Sequence, residues 1–226
     1  MLAGKAVMIN WSDVAPEHRR SYYEWHSREH MVGRVSISGF CRGRRYVAVD
    51  AKRDFLILYE VHDVAVLTSE EYLAKANAPS ELTRRTTPFI KNAIRGLTRV
   101  RASYGIGSGG MALTIRCAPT AGTEEELGRY LDEVALPQLA DSPEITGAHW
   151  LVADNAASSI VPAERQGRPT AIPDWVVVVE AVEVEALENA RRLFLGDEQL
   201  AAQGAARPIE YDVYRLQIMV ATQRCG

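Results

Sequence analysis

Asp54-Phe55-Leu56-Ile57-Leu58 in the first half of the chain and Asp174-Trp175-Val176-Val177-Val178 in the second follow one pattern, an acidic turn residue leading into an unbroken apolar run. A run of this length bounded by turn signals reads as a strand, and consecutive apolar positions mean that both of its faces are covered. One strand upstream, Ser38-Gly39-Phe40 and Thr146-Gly147-Ala148 again occupy corresponding places. The match is of pattern more than identity. It divides the chain into two copies of one unit.

Working outward from the first run, Ala6–Trp11 is a short apolar strand, and residues 16 to about 35 form a long helix opened by Ser12 or Asp13 and an early Pro16. Phe40–Val49 and Phe55–Val61 form a hairpin across Asp50-Ala51-Lys52-Arg53-Asp54. A second helix starts near Ser69, with Thr68 and Glu71 at capping-box spacing, and breaks at Pro79 and Pro88. Leu97–Tyr104 closes the unit. After the glycine-rich residues 105–110 the order restarts: Met111–Cys117 is a strand, and Thr123 and Glu126 cap a helix whose apolar face is Leu127, Tyr130, Leu131 and Val134. Ala148–Ala153, Trp175–Val182, the helix Val184–Leu195 and the strand Tyr211–Val220 complete the second unit. Residues 153–174 form a long connection where the first unit has a tight turn; loops of this length act as lids or interfaces or are disordered.

A βαββαβ unit is a four-stranded antiparallel sheet with both helices on one face, so its other face needs cover, which a second unit supplies. The expected fold class is therefore α+β: tandem ferredoxin-like βαββαβ repeats forming an intrachain barrel, with units 1–106 and 107–226.

Composition narrows the function. With 47% hydrophobic residues the chain carries a real core, and a formal charge of −3 provides no field toward nucleic acid or anionic lipid. No apolar run approaches the ~18 residues of a membrane span, and the N-terminus lacks the pattern of a signal peptide. Cys41, Cys117 and Cys225 are an odd, scattered set without CxxC, which argues against a disulfide scaffold or zinc ribbon and fits a reducing cytoplasm.

Polar groups stand out at one place. At 100° per residue, Tyr22, Trp25, His26, Glu29, Val32 and Gly33 gather on one side of the first helix, with His30 and Tyr23 at its edge. Burying an imidazole and a carboxylate among aromatics is costly unless they are paired or put to use. The matching helix of the second unit carries no histidine, so the fold does not require them. A single histidine on such a face is ordinarily a satisfied core or rim residue; two with a glutamate on one stripe also suit acid–base chemistry. Read literally, His26-Ser27-Arg28-Glu29-His30 is H-x-x-E-H, a zinc pattern that needs a third ligand from elsewhere. Arg34, Arg42, Arg44 and Arg45 are candidate anion anchors, although such a run is usually a solvated strand face. Alternation sends Arg44 and Arg45 to opposite sides, and Tyr46 shares Arg44's side. Tyr46 is the phenol to test beside the histidines, with ordinary core packing as its alternative.

The stretch Tyr23-Glu24-Trp25-His26-Ser27-Arg28-Glu29-His30, followed by Ser38-Gly39-Phe40-Cys41-Arg42-Gly43-Arg44-Arg45-Tyr46, resembles the EthD-like branch of the dimeric α/β-barrel superfamily, where a W-H-x-x-E-H helix leads into a P-G-F-x-x-x-R-R-Y strand. Ser38 replaces the usual Pro, and Gly39 keeps the turn. The likeness covers the first half closely and the second in architecture. It implies a barrel of two ferredoxin-like units, fused here, and points to Trp25, His26, Glu29 and His30. The superfamily includes cofactor-independent monooxygenases, polyketide cyclases, lactone isomerases and haem enzymes, so fold does not decide function.

The expected function is that of an enzyme needing no cofactor or metal, acting on a small aromatic, unsaturated-acid or polyketide-like compound by isomerisation, cyclisation or decarboxylation. In this reading His26 is the acid or base, with His30 or Glu29 as its orienting partner, and Trp25, Tyr22, Arg34, Arg44 and Tyr46 contact the substrate. A non-catalytic small-molecule binding or accessory protein and a purely structural barrel are the alternatives. The chain is expected to be cytoplasmic, a monomer or homodimer, without nucleic-acid or membrane partners.

Overall fold

The computed structural model describes residues 1–222, in which the two halves of the chain trace the same path. The first half supplies β1 (Ala6–Val14), β2 (Phe40–Asp50), β3 (Phe55–Val61) and β4 (Ile90–Gly105); the second supplies β5 (Met111–Pro119), β6 (Ile145–Ala153), β7 (Trp175–Ala181) and β8 (Ala205–Ala221). Around the ring the order is β1-β3-β2-β8-β5-β7-β6-β4, closed by β4 on β1, with every pair antiparallel. Each repeat is thus one ferredoxin-like sheet, and the seams β2–β8 and β4–β6 join them. Closure removes the sheet edges within a single chain.

The central strands explain why the two apolar runs are unbroken. No residue of β3 or β7 is exposed. Their inward side chains Leu56, Leu58, Val176 and Val178 meet Val7, Ile9, Trp11 and Tyr214 inside the barrel. Ile57 and Tyr59 on one strand, and Val177 and Val179 on the other, face outward to the helices. Each such side chain contributes roughly 1.5–3 kcal/mol. The barrel interior is a filled core, so any cavity must lie between helices and sheet.

The helices are α1 (residues 19–35), α2 (Glu70–Asn77), α3 (Glu81–Thr86), α4 (residues 124–140), α5 (Asn155–Ser158), α6 (residues 184–195) and α7 (Asp197–Ala202). Both long helices depart from α-geometry in mid-course. A π-helical turn, His26–His30 in α1 and Tyr130–Ala135 in α4, inserts about one extra residue per turn. The buried stripe consequently steps forward. In α1 it runs Tyr22, Trp25 and His26, then Met31, Arg34 and Val35, leaving Val32 48% exposed. In α4 it passes from Leu131 to Ala135, Leu136 and Leu139, with Val134 38% exposed. A uniform 100° step misplaces Val32 and Val134 for this reason.

Local capping also differs from expectation. Ser69, not Thr68, caps α2 by accepting from the Tyr72 N–H at 3.2 Å. Thr123 does not cap α4; its hydroxyl lies 2.8 Å from the carbonyl oxygens of Thr120 and Gly204. Strands β4 and β8 begin earlier than their apolar runs because each pairs with its own repeat along its first part and across a seam along its second, residues 90–99 with β1 and 98–105 with β6, residues 205–215 with β5 and 213–221 with β2. Cys117 is buried and free. Cys225 lies outside the described residues. Among the described residues no helix is long and apolar enough to cross a membrane.

Candidate functional site

Helix α1 lies over the outer face of the first sheet and leaves a cavity of about 80 Å³ between them. Tyr22, Trp25, His26, His30 and Arg34 line it from the helix, Asn10, Ser12, Tyr59 and Arg95 from the strands, and Tyr72 from α2. Its roof comes from the other repeat. Because β6 pairs with β4, the connection that leaves β6 emerges over the first sheet, and residues 159–173 bring Glu164, Arg165 and Arg168 onto the cavity. The segment is pinned at both ends. Ser158 Oγ accepts from the Leu97 N–H at 3.0 Å, Ala171 bridges Ile94, and the Arg95 N–H donates to the Ala171 carbonyl at 2.8 Å. Between these points the Ala163 N–H donates to Asn77 at 2.9 Å and Arg34 pairs with Glu164 as a latch. Past Thr87, Ile90 and Ala93 the cavity opens into an outer groove of about 440 Å³ between α3 and this lid.

His26 is buried with both ring nitrogens in use. Arg45 Nη1 donates to Nδ1 at 3.2 Å, so the neutral ring carries its proton on Nε2, which faces the Tyr59 hydroxyl at 3.4 Å. Burial, followed by the Arg45 charge, holds its pKa well below the usual histidine value, so it stays neutral at pH 7. Burial raises the Tyr59 and Tyr22 phenols, which remain protonated donors. Arg45 itself is 5% exposed and has no carboxylate partner among the described residues; it donates to Gln217 at 3.0 Å and Ser27 at 3.0 Å and lies over the Tyr23 ring.

His30 is half-buried against Trp25, with ring centroids 4.4 Å apart. Among the described residues its ring nitrogens have no hydrogen-bond partner. Burial first, then Arg34, His26, Arg168 and Lys75, push its pKa well below the ordinary value, so a free imidazole lone pair is available at the cavity.

Four expected site residues need correction. Glu29 is carried to the rim by the π turn, where Ser80 and Thr83 donate to it; Thr83 in turn accepts from the Trp25 indole N–H at 2.9 Å, so Glu29 steadies Trp25 and does not orient His26. The H-x-x-E-H spacing therefore does not assemble a metal face, and no group of three metal-type ligands occurs among the described residues. Arg34 lines the cavity but is taken by Glu164. Arg44 and Tyr46 point into the barrel, on the opposite side of β2, where Arg44 donates to the Tyr46 hydroxyl at 2.7 Å and pairs with Glu60 and Glu180. Their places beside the histidines are filled by Arg45 and Tyr59. Strand alternation already separated Arg44 from Arg45, but the side facing α1 was not assignable. Arg95, Arg165 and Arg168 had no sequence signal, since they are distant in the chain and meet only through the β4–β6 seam.

Among solved structures the chain is similar to an anthrone oxidase-like protein, with 12% identity, a TM-score of 0.67, and coverage of 100% of this chain and 98% of that one. The chain has the dimeric α/β-barrel fold. The same barrel occurs in a candidate monooxygenase from Lactobacillus acidophilus (7% identity, TM-score 0.63, 96% of each chain) and in a mutant chlorite dismutase from Candidatus Nitrospira defluvii (9% identity, TM-score 0.53, 95% of this chain and 92% of that one). No family model and no curated protein matches the chain. In this α/β barrel the space under α4, equivalent to the cavity, is packed with Leu127, Leu131, Trp150 and Trp175. A macrocycle such as haem does not fit under α1, where the cavity of about 80 Å³ is too small for it.

Proposed function

We propose that this barrel is an enzyme that abstracts a proton from an activated carbon of a small aromatic or polyketide-like compound, the step shared by isomerisation, cyclisation and cofactor-free oxidation of such carbon acids. The observation that carries the reading is a neutral His30 with free ring nitrogens on the wall of a lid-covered cavity that also presents the Tyr59 phenol. His30 takes the proton; Tyr59 donates to the oxygen of the developing enolate. His26 positions Tyr59 by donating Nε2–H to its oxygen, which turns the phenolic hydrogen toward the cavity, and Arg45 holds the His26 tautomer. Trp25, Tyr22 and Ile57 supply the apolar walls a flat ring needs. The likeness to an anthrone oxidase-like protein supports a carbon acid of this type as probe.

A cavity of about 80 Å³ is smaller than the ~150 Å³ that admits benzene, so a ring enters only when the lid opens. That fits a site that excludes water during proton transfer. A second reading, a non-catalytic binding or accessory protein, is favoured by the full engagement of His26. Anthrone in D₂O separates the two. Loss of its methylene proton signal faster than in buffer, reduced at least ~10²-fold in His30→Gln while quenching of Trp25 fluorescence persists, supports the enzyme. Quenching without accelerated exchange supports the binder and overturns the base role.

A further inference from the structure

We propose that Arg95, Arg165 and Arg168 form a subsite for a doubly charged oxyanion carried by the small molecule that occupies the cavity. The proposal rests on the cavity being a ligand site and not on proton transfer at His30. Arg95 rises from β4, 4% exposed, and its guanidinium meets only the Tyr72 hydroxyl at 3.1 Å and the Met8 sulfur at 3.3 Å. Arg165 donates to Thr170 Oγ1 at 2.6 Å, and Arg168 approaches only the Glu164 carbonyl oxygen at 3.5 Å. None of the three has a carboxylate partner among the described residues. The one acid of the cavity wall, Glu164, is taken by Arg34.

An uncompensated buried guanidinium such as that of Arg95 is expensive, and a fold retains it where something neutralises it in use; Arg165 and Arg168 stand half-buried beside it. Their mutual repulsion is visible at Arg165, where burial and the neighbouring Arg95 and Arg168 charges pull the pKa down to about 9. The trio also stands between two spaces. On one side is the cavity beneath α1; on the other is a chamber of about 150 Å³ under the lid, which the same three arginines line. Three unpaired positive charges are poorly balanced by a single carboxylate and well balanced by a dianion. A phosphate monoester and a dicarboxylate share that chemistry, and both accept the forked donors of arginine. Since Arg165 and Arg168 belong to the lid and Arg95 to the barrel, a bound dianion ties one to the other.

Calorimetry and thermal shift with inorganic phosphate, phthalate and benzoate test this without turnover. Phosphate, phthalate or both are expected to bind at least tenfold more tightly than benzoate and to raise Tm with concentration. Arg95→Met and Arg165→Gln are each expected to weaken that binding at least tenfold. Phosphate alone assigns a phosphate ester, and phthalate alone a dicarboxylate. Absence of binding by either dianion, benzoate binding as tightly, or binding unchanged by the substitutions overturns the proposal. Arg95→Met removes an unpaired buried charge, so its Tm without anion should equal or exceed that of the parent; should it not fold, the lid residue Arg165 carries the test. A dianion that binds while anthrone shows no exchange leaves the subsite standing and removes only the enzymatic reading.

Discussion

Glu60 and Glu180 stand at the same position of the two repeats, sixth in β3 and sixth in β7, and both are paired with the single guanidinium of Arg44 inside the barrel. The relationship ties the repeats together across the pseudo-twofold arrangement, and Arg42 and the Ala3 N–H complete the shell around Glu60. Breaking such a pair from one side leaves an uncompensated buried charge. Arg44→Met is therefore expected to destabilise by about 3–5 kcal/mol in urea unfolding. A loss below about 1 kcal/mol would mean the network is not formed.

Acid should destabilise the protein in two stages, and the sign follows from the shifts. His26, His30 and His149 are all depressed, His149 to about 3 with burial as its main cause. The unfolded chain binds protons at these sites as pH falls below about 6.5 while the native protein does not, so stability drops from there downward. Glu60 is also depressed, by Arg44 and Arg42 outweighing its burial; its stabilisation is present above the ordinary carboxylate pKa and disappears as pH falls through its lower native value. Urea midpoints between pH 7 and 5 should fall with a slope of up to about three protons, and one proton less in His149→Phe.

Substitution at His26 tests a positioning role. His26→Leu leaves Arg45 short of an acceptor and Tyr59 without its donor, and should cost about 1–3 kcal/mol. His26→Gln, which retains an acceptor and a donor, should recover a good part of it. A neutral His26→Leu would show that Arg45 and Tyr59 do not depend on the ring.

The lid should be looser without its latch. Glu164→Gln strands Arg34 and is expected to speed tryptic cleavage after Arg165 on the order of tenfold, with unchanged cleavage elsewhere. Equal digestion of parent and variant would show that the pins at Ser158 and Ala171 suffice.

The π turn in α4 gives a register test. Val134→Lys should change stability by less than about 0.5 kcal/mol, while Leu131→Ala should cost about 2–5 kcal/mol. Comparable losses at both positions would restore uniform helical spacing.

By itself the chain determined the architecture. Apolar runs at Phe55–Val61 and Trp175–Ala181, each covered on both faces, admit little but a sheet enclosed by helices on one side and a second sheet on the other, because burial is a property of local pattern repeated along the strand. The same local chemistry marked α1 as the helix with polar groups under it and singled out His26, His30, Trp25 and Tyr22. Tertiary structure alone decided what those groups meet. The π turn moved Glu29 and Val32 out, and the choice of strand face placed Tyr59 at the cavity, Arg45 against His26, and Arg44 and Tyr46 in the barrel. The β4–β6 seam carried Glu164, Arg165 and Arg168 from the second repeat onto the site of the first. Contacts between residues 70 or more positions apart leave no periodic trace, since their free energy is realised only when the barrel closes.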